Sequence, residues 1–140
     1  MKKGKVKGIG GIFFKSKDPK VISKWYAENL GMVENEYGSL FEYREGGNPE
    51  QKAYAQWGPF DKDTEYFQPS ENEFMINYRV ENIEALVEDC KAKGIVVCDE
   101  IESYSYGKFV HILDPEGRKI ELWEPIDEVF TEMNEGKTTL

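Results

Sequence analysis

The stretch G-I-G-G-I-F-F-K-S-K-D-P-K-V-I-S-K-W-Y-A-E-N-L-G-M, residues 8 to 32, reads as a strand, a capped start, a helix and a stop. The same grammar returns in F-M-I-N-Y-R-V-E-N-I-E-A-L-V-E-D-C-K-A-K-G-I, residues 74 to 95. Such self-similarity marks a duplicated unit and governs how everything else is read. Asp18 and Asn82 suit a helix N-cap, where a side-chain oxygen accepts a backbone N–H that the helix leaves unpaired. Pro19 suits the first helical position, whose N–H has no intrahelical partner anyway. Gly31 and Gly94 suit the C-terminal stop, which calls for a left-handed residue. Val21, Ile22, Trp25, Tyr26 and Leu30 form an apolar stripe at helical spacing, and Ile83, Leu86, Val87 and Cys90 repeat it.

Each helix gives way to three short strand-like runs separated by turn residues. In the first half these are V-E-N-E-Y from Val33, S-L-F-E-Y-R from Ser39 and K-A-Y-A-Q-W from Lys52. In the second they are I-V-V-C from Ile95, Y-G-K-F-V-H-I-L from Tyr106 and R-K-I-E-L-W from Arg118. The expected fold is therefore α+β: two βαβββ modules sharing a curved mixed sheet around a cleft, with the helices outside. Module one spans about 6–60 and module two about 73–125, joined by a polar, proline-containing linker at about 61–72. In the tail, 126–140, Val129, Phe130 and Met133 stand at near-helical spacing; it is expected to lie on the body or on a partner, with a frayed end.

At 140 residues one domain, 1–140, is expected, large enough to bury a core without staples. A net charge of -9, from 27 acidic and 18 basic side chains, leaves only the N-terminal K-K-G-K-V-K-G as a basic run, which argues against nucleic acid and anionic membranes. Cys90 and Cys98 have no second pair to complete a zinc site and read as free thiols in a reducing compartment. No apolar stretch approaches the roughly 18 residues a membrane span needs, and no signal-peptide pattern opens the chain. The expected location is the cytoplasm. The G-I-G-G motif opens a strand where a dinucleotide fingerprint would follow one, and no phosphate loop or nucleophile elbow is present.

The I-G-G-I-F-F-K-S-K-D-P from Ile9, the W-Y-A-E-N-L-G-M from Trp25 and the D-P-E-G-R-K-I-E-L hairpin from Asp114 together resemble the vicinal oxygen chelate superfamily, the glyoxalase/bleomycin-resistance/extradiol-dioxygenase group. The resemblance covers about residues 6–125, duplication included. It implies a cleft that, in metal-using members, holds a divalent cation which chelates two neighbouring substrate oxygens. Position by position, the first-strand ligand falls on Gly11, its counterpart near Met75, the last strand of module one offers Gln56, and only Glu121 matches. A catalytic site takes about three protein ligands, so the expectation is no cofactor; the alternative is a divalent metal held by Glu121 with His111 and Gln56 as further ligands. The resemblance also implies a homodimer.

The hairpin refines the cleft. If Pro115, Glu116 and Gly117 form a three-residue loop, Asp114 faces Arg118 and His111 lies opposite Glu121; a four-residue connection would shift the pairing by one. Side chains alternate, so Ile120 and Leu122 go against the helices, while His111, Glu121 and Trp123 face the cleft. His111 and Glu121 are then candidates for acid/base work, or a structural pair. On the first strand Phe13 and Lys15 share the face of Gly11, and on the fifth Asn77 and Arg79 share that of Met75. Trp57, Tyr104 and Tyr106 complete the candidate pocket lining, alongside Phe13, Gln56, Met75, Asn77 and Trp123. Gly8, Gly10 and Gly11 mark either a vacated ligand position or a bulge where strands approach closely. The leading reading is a small-molecule-binding member without the usual metal site. The alternatives are a metal-dependent lyase, isomerase or dioxygenase, and a non-enzymatic interaction domain.

Overall fold

Asp18 caps its helix as its position predicts, accepting the Val21 N–H at 3.3 Å, with Pro19 next and Gly31 closing the far end at φ 72°. In the computed structural model, which describes residues 3–140, that helix is α1, Pro19–Leu30, following β1, Lys5–Ser16. Lys2, part of the N-terminal basic run, lies outside the described residues. Then come β2, Glu34–Asn35, β3, Gly38–Glu45, and β4, Asn48–Asp61. The second half is β5, Phe74–Glu81, α2, Ile83–Ala92, β6, Glu102–Tyr104, β7, Gly107–Leu113, and β8, Lys119–Pro125, followed by α3, Asp127–Asn134.

The eight strands make one open mixed sheet in the order β2-β3-β4-β1-β5-β8-β7-β6, with β1/β4 and β5/β8 parallel. The two halves meet where β1 and β5 pair antiparallel, with register shifts between Val6 and Gly8 and between Ile9 and Gly11. The glycine cluster thus marks a bulge and a close approach: a Cβ at Gly10 would come within 2.3 Å of Asn77 Oδ1. On the convex side, Val80, Ile83, Val87, Val110 and Leu122 form a buried core beneath α2, with Ile112 and Ile120 packed against it. Beneath α1 the cover is thinner, because Val21, Trp25 and Leu30 of the predicted stripe are exposed and only Ile22 and Tyr26 are partly covered.

Three expectations need correction. Asn82 does not cap α2; it adopts a left-handed conformation at φ 53° with no side-chain cap bond, tolerable because asparagine is among the few residues that visit that region readily. The cap comes instead from β8, where Glu124 Oε1 accepts the Ile83 N–H at 2.7 Å. Second, Ile95–Cys98 makes only a single bridge, Val97 to Ile112, before leaving the edge of β7. The Asp99 carboxylate there takes the His111 N–H, at 2.8 Å, that a continuing ladder would claim. The tail lies on the body: α3 crosses the concave face, where Phe130 packs against Tyr54 and Trp123, each with centroids 5.1 Å apart.

Third, the end of the tail is pinned up to Thr139. Thr139 donates its N–H to the Leu40 carbonyl at 2.7 Å, and its hydroxyl meets Val33 N and Ser39 Oγ at 2.8 and 2.7 Å. Leu140, beyond this anchor, is exposed. The tail therefore forms a strap from β8 to β3.

Because Glu124 supplies the α2 cap from a distant strand, Glu124→Ala should lower stability by about 1 kcal/mol, within the ~0.5–2 range for lost caps. Urea unfolding of the two proteins measures it, and an unchanged midpoint would contradict the assignment.

Candidate functional site

Strand alternation sends one set of side chains from every strand to the concave face. From β4 come Tyr54, Gln56 and Phe60, from β1 Phe13, from β5 Met75, Asn77 and Arg79, from β8 Glu121 and Trp123, and from β7 Phe109 and His111. Asp114 N donates to Arg118 O at 2.9 Å and Gly117 takes φ 82°, so the loop is the three-residue form and His111 pairs with Glu121. The structure brings together Phe13, Gln56, Met75, Asn77, His111, Glu121 and Trp123 on this face. Trp57 is the exception: its parity is opposite to that of Gln56, and it packs on the α1 side against Tyr26 and Phe14, with centroids 4.5 and 5.2 Å apart.

The linker is not a bare connector. It folds over one end of the concave face, where Phe67 is completely buried with Phe13 and Met75. Tyr66 stacks on Phe60, meets the His111 ring edge-on, and donates its hydroxyl to Glu121 Oε2. Asn77 Nδ2 donates to the other Glu121 oxygen at 2.6 Å. His111 Nε2 lies 2.8 Å from Glu121 Oε2 and Nδ1 2.6 Å from Asp99 Oδ2. The imidazole is thus clamped between two carboxylates, with both ring nitrogens engaged.

Burial alone would push His111 downward, but hydrogen bonds and charge from Glu121, then Asp99, outweigh it and hold the imidazolium above its ordinary 6.5. Burial likewise opposes the charged form of Glu121, yet His111, Tyr66 and Asn77 together hold its carboxyl below the ordinary 4.5. Burial, with the Glu121 charge beside it, pushes the Tyr66 phenol up. Tyr66 stays a donor, Glu121 an acceptor, and His111 a cation.

At the other end stands an aromatic wall. Phe109 and Trp123 stack at 5.7 Å, Tyr106 meets Phe109 at 5.9 Å, and Tyr104, half exposed on β6, stacks on Tyr106 at 5.4 Å. Gly107, at φ 145°, lets the turn approach the indole, since a Cβ there would lie 2.5 Å from Trp123 Nε1. The Arg79 guanidinium sits 5.7 Å over the Trp123 ring. Sequence reasoning missed Phe109, Tyr66, Asp99 and the covering role of Phe130. Strand parity with His111 would have found Phe109, and the spacing of the tail pointed to Phe130. Tyr66 and Asp99 carry no local signal.

The donors at the positions implied for a divalent cation do not fit one. Gly11 offers no side chain and Met75 offers a thioether, a soft donor unsuited to a hard divalent ion. Both Glu121 oxygens already accept bonds from protein donors. Among the described residues, no three His, Cys, Asp or Glu side chains converge as a metal-ligating group. Nor is any described helix long and apolar enough to cross a membrane.

The pH dependence follows by sign. The raised His111 contributes stability that is fully present below pH 6.5 and lost as pH rises through its raised value. The lowered Glu121 contributes stability present above pH 4.5 and lost as pH falls through its lowered value. Both act together between pH 4.5 and 6.5. The melting temperature should therefore fall as the pH rises from 6 into the alkaline range. Scanning calorimetry of His111→Gln should show that alkaline decline flattened; an identical profile in the variant would refute the assignment.

No protein-family model matches the chain, and no curated protein matches it. Solved structures do match. Methylmalonyl-CoA epimerase from Streptomyces coelicolor, in complex with 2-nitronate-propionyl-CoA, aligns at TM-score 0.63 and 14% identity over 87% of this chain and 99% of that one. Methylmalonyl-CoA epimerase from Mycobacterium tuberculosis aligns at 0.59 and 19% over 90% and 93%. A glyoxalase/bleomycin resistance protein/dioxygenase superfamily member from Vibrio splendidus aligns at 0.47 and 16% over 81% and 95%. At these identities the likeness is one of architecture. With its paired βαβββ halves and open eight-stranded sheet, the chain shares its fold with these two methylmalonyl-CoA epimerases.

Proposed function

We propose that this protein binds a small planar organic molecule on the concave face, at the aromatic wall, without a divalent metal. The observation that carries this reading is a set of buried polar atoms with no partner among the described residues: Asn77 Oδ1, Arg79 Nη1, Trp123 Nε1 and Asp127 Oδ1. Folded proteins leave few buried donors and acceptors unmatched, and those left call for an occupant. Here two donors and two acceptors lie on side chains that border flat aromatic surface, the composition of a small-molecule site. In this reading His111 and Glu121 anchor the linker over the opposite end of the face, where every ring nitrogen and carboxylate oxygen is hydrogen-bonded within the protein.

Planar aromatic compounds should quench tryptophan fluorescence saturably, with or without EDTA. Trp123→Phe should abolish most of the effect, since Trp25 is exposed on α1 and Trp57 packs on the convex side. If no compound of a broad aromatic set quenches the native protein, the reading fails.

We also propose a homodimer and a reducing, cytoplasmic setting for the free thiols of Cys90 and Cys98. Ile9 and Ile12 of β1 and Phe74 of β5 support the dimer: they share the convex face of adjacent strands and are exposed. Sedimentation velocity should give a dimer that Ile12→Glu dissociates; a native monomer at micromolar concentration would exclude it.

A further inference from the structure

We propose that the Arg79 end of the concave face is a site for an aromatic carboxylate, and that α3 occupies it as an internal stand-in. The inference rests on the small-molecule reading above and specifies its ligand class. Asp127 and Phe130 stand three residues apart on α3, so both present to the same side of the helix. The carboxylate of Asp127 accepts from Arg79 Nη2 at 2.9 Å. The Phe130 ring enters the aromatic box of Tyr54, Tyr106 and Trp123, at 5.1, 6.4 and 5.1 Å. One helical face thus presents an anion and a ring to a buried guanidinium and an aromatic wall.

The seat is built for an anion that the tail supplies poorly. Arg79 is 3% exposed, so its charge must be matched from within the protein. Its partners are Asp127 and Glu45 Oε1, the latter at 3.1 Å and shared with Lys7 at 2.9 Å. The other carboxylates nearby are committed elsewhere: Glu81 pairs with Lys5 at 3.6 Å, and Glu124 caps α2. Without Asp127, two cations would face one carboxylate, leaving room for a single negative group. Asp127 fills it through one bond, leaving its own Oδ1 and the Arg79 Nη1 without partners. A free carboxylate can instead present both oxygens to a guanidinium in the paired arrangement that arginine favours.

Two further features mark α3 as an exchangeable occupant. None of its residues is fully buried, whereas the linker covering the opposite end buries Phe67 completely. A cavity of about 220 Å³, lined in part by Lys7, Glu45, Arg79 and Asp127, opens beside the ion pair and gives a ligand carboxylate a route to it.

The test titrates 2-naphthoate and its neutral isostere 2-naphthamide into the full chain by calorimetry. Comparison is made with Asp127→Asn, which keeps the shape of the helix, and with Phe130→Ala. The expected result is naphthoate binding about tenfold tighter to each variant than to the native protein, with naphthamide unaffected by Asp127→Asn. Unchanged naphthoate affinity in both variants would overturn the stand-in. Equal affinity for the two probes would overturn the carboxylate class while leaving the small-molecule reading intact. No binding of either probe to any of the three proteins would overturn both.

Discussion

One buried carboxylate organises the concave face. Glu121 stands on β8 and receives Asn77 from β5, His111 from β7 and the Tyr66 hydroxyl from the linker. A charge so placed costs several kcal/mol to desolvate and persists only where donors surround it. Its demand for partners therefore dictates where three other segments lie. Through His111 the constraint reaches Asp99, whose carboxylate ends the pairing of the 95–98 segment with β7. In the resemblance this position belongs to a cation ligand; here the positive charge beside it is an imidazolium from the neighbouring strand.

The concave face then carries two covers of different character. The linker is bound as core is bound: Phe67 joins Phe13 and Met75 in a sealed apolar cluster, worth on the order of 2 kcal/mol for one such side chain. The C-terminal strap is held by polar contacts, Asp127 with Arg79, Thr131 with the Tyr54 hydroxyl and Thr139 with Leu40, and by one ring, Phe130. Orphaned donors and acceptors lie under the strap, where its own atoms do not satisfy them. A cover with that balance exchanges with other occupants at lower cost than a packed one.

Much of the fold was legible because its signals are local. Asp18, Pro19 and Gly31 bracket α1 within one short stretch, and the Asp114–Gly117 turn sets a register that alternation then propagates to His111, Glu121 and Trp123. Where the same rules failed, a distant partner had intervened. Asn82 lost its capping role to Glu124, 41 positions away from the N–H that it caps. Trp57 was assigned to the cleft by its neighbourhood in sequence, yet strand parity sends it beneath α1 while Gln56 faces inward.

The duplicated βαβββ plan, the hairpin register and most of the inward-facing set are written in the order of residues, because periodicity, caps and turns depend on neighbours a few positions apart. Tertiary structure alone decided what covers the cleft. Tyr66 reaches Glu121 across 55 positions and Thr139 reaches Ser39 across 100. Such contacts leave no periodic trace, since each is selected by the shape and charge of a surface that exists only after the sheet has formed.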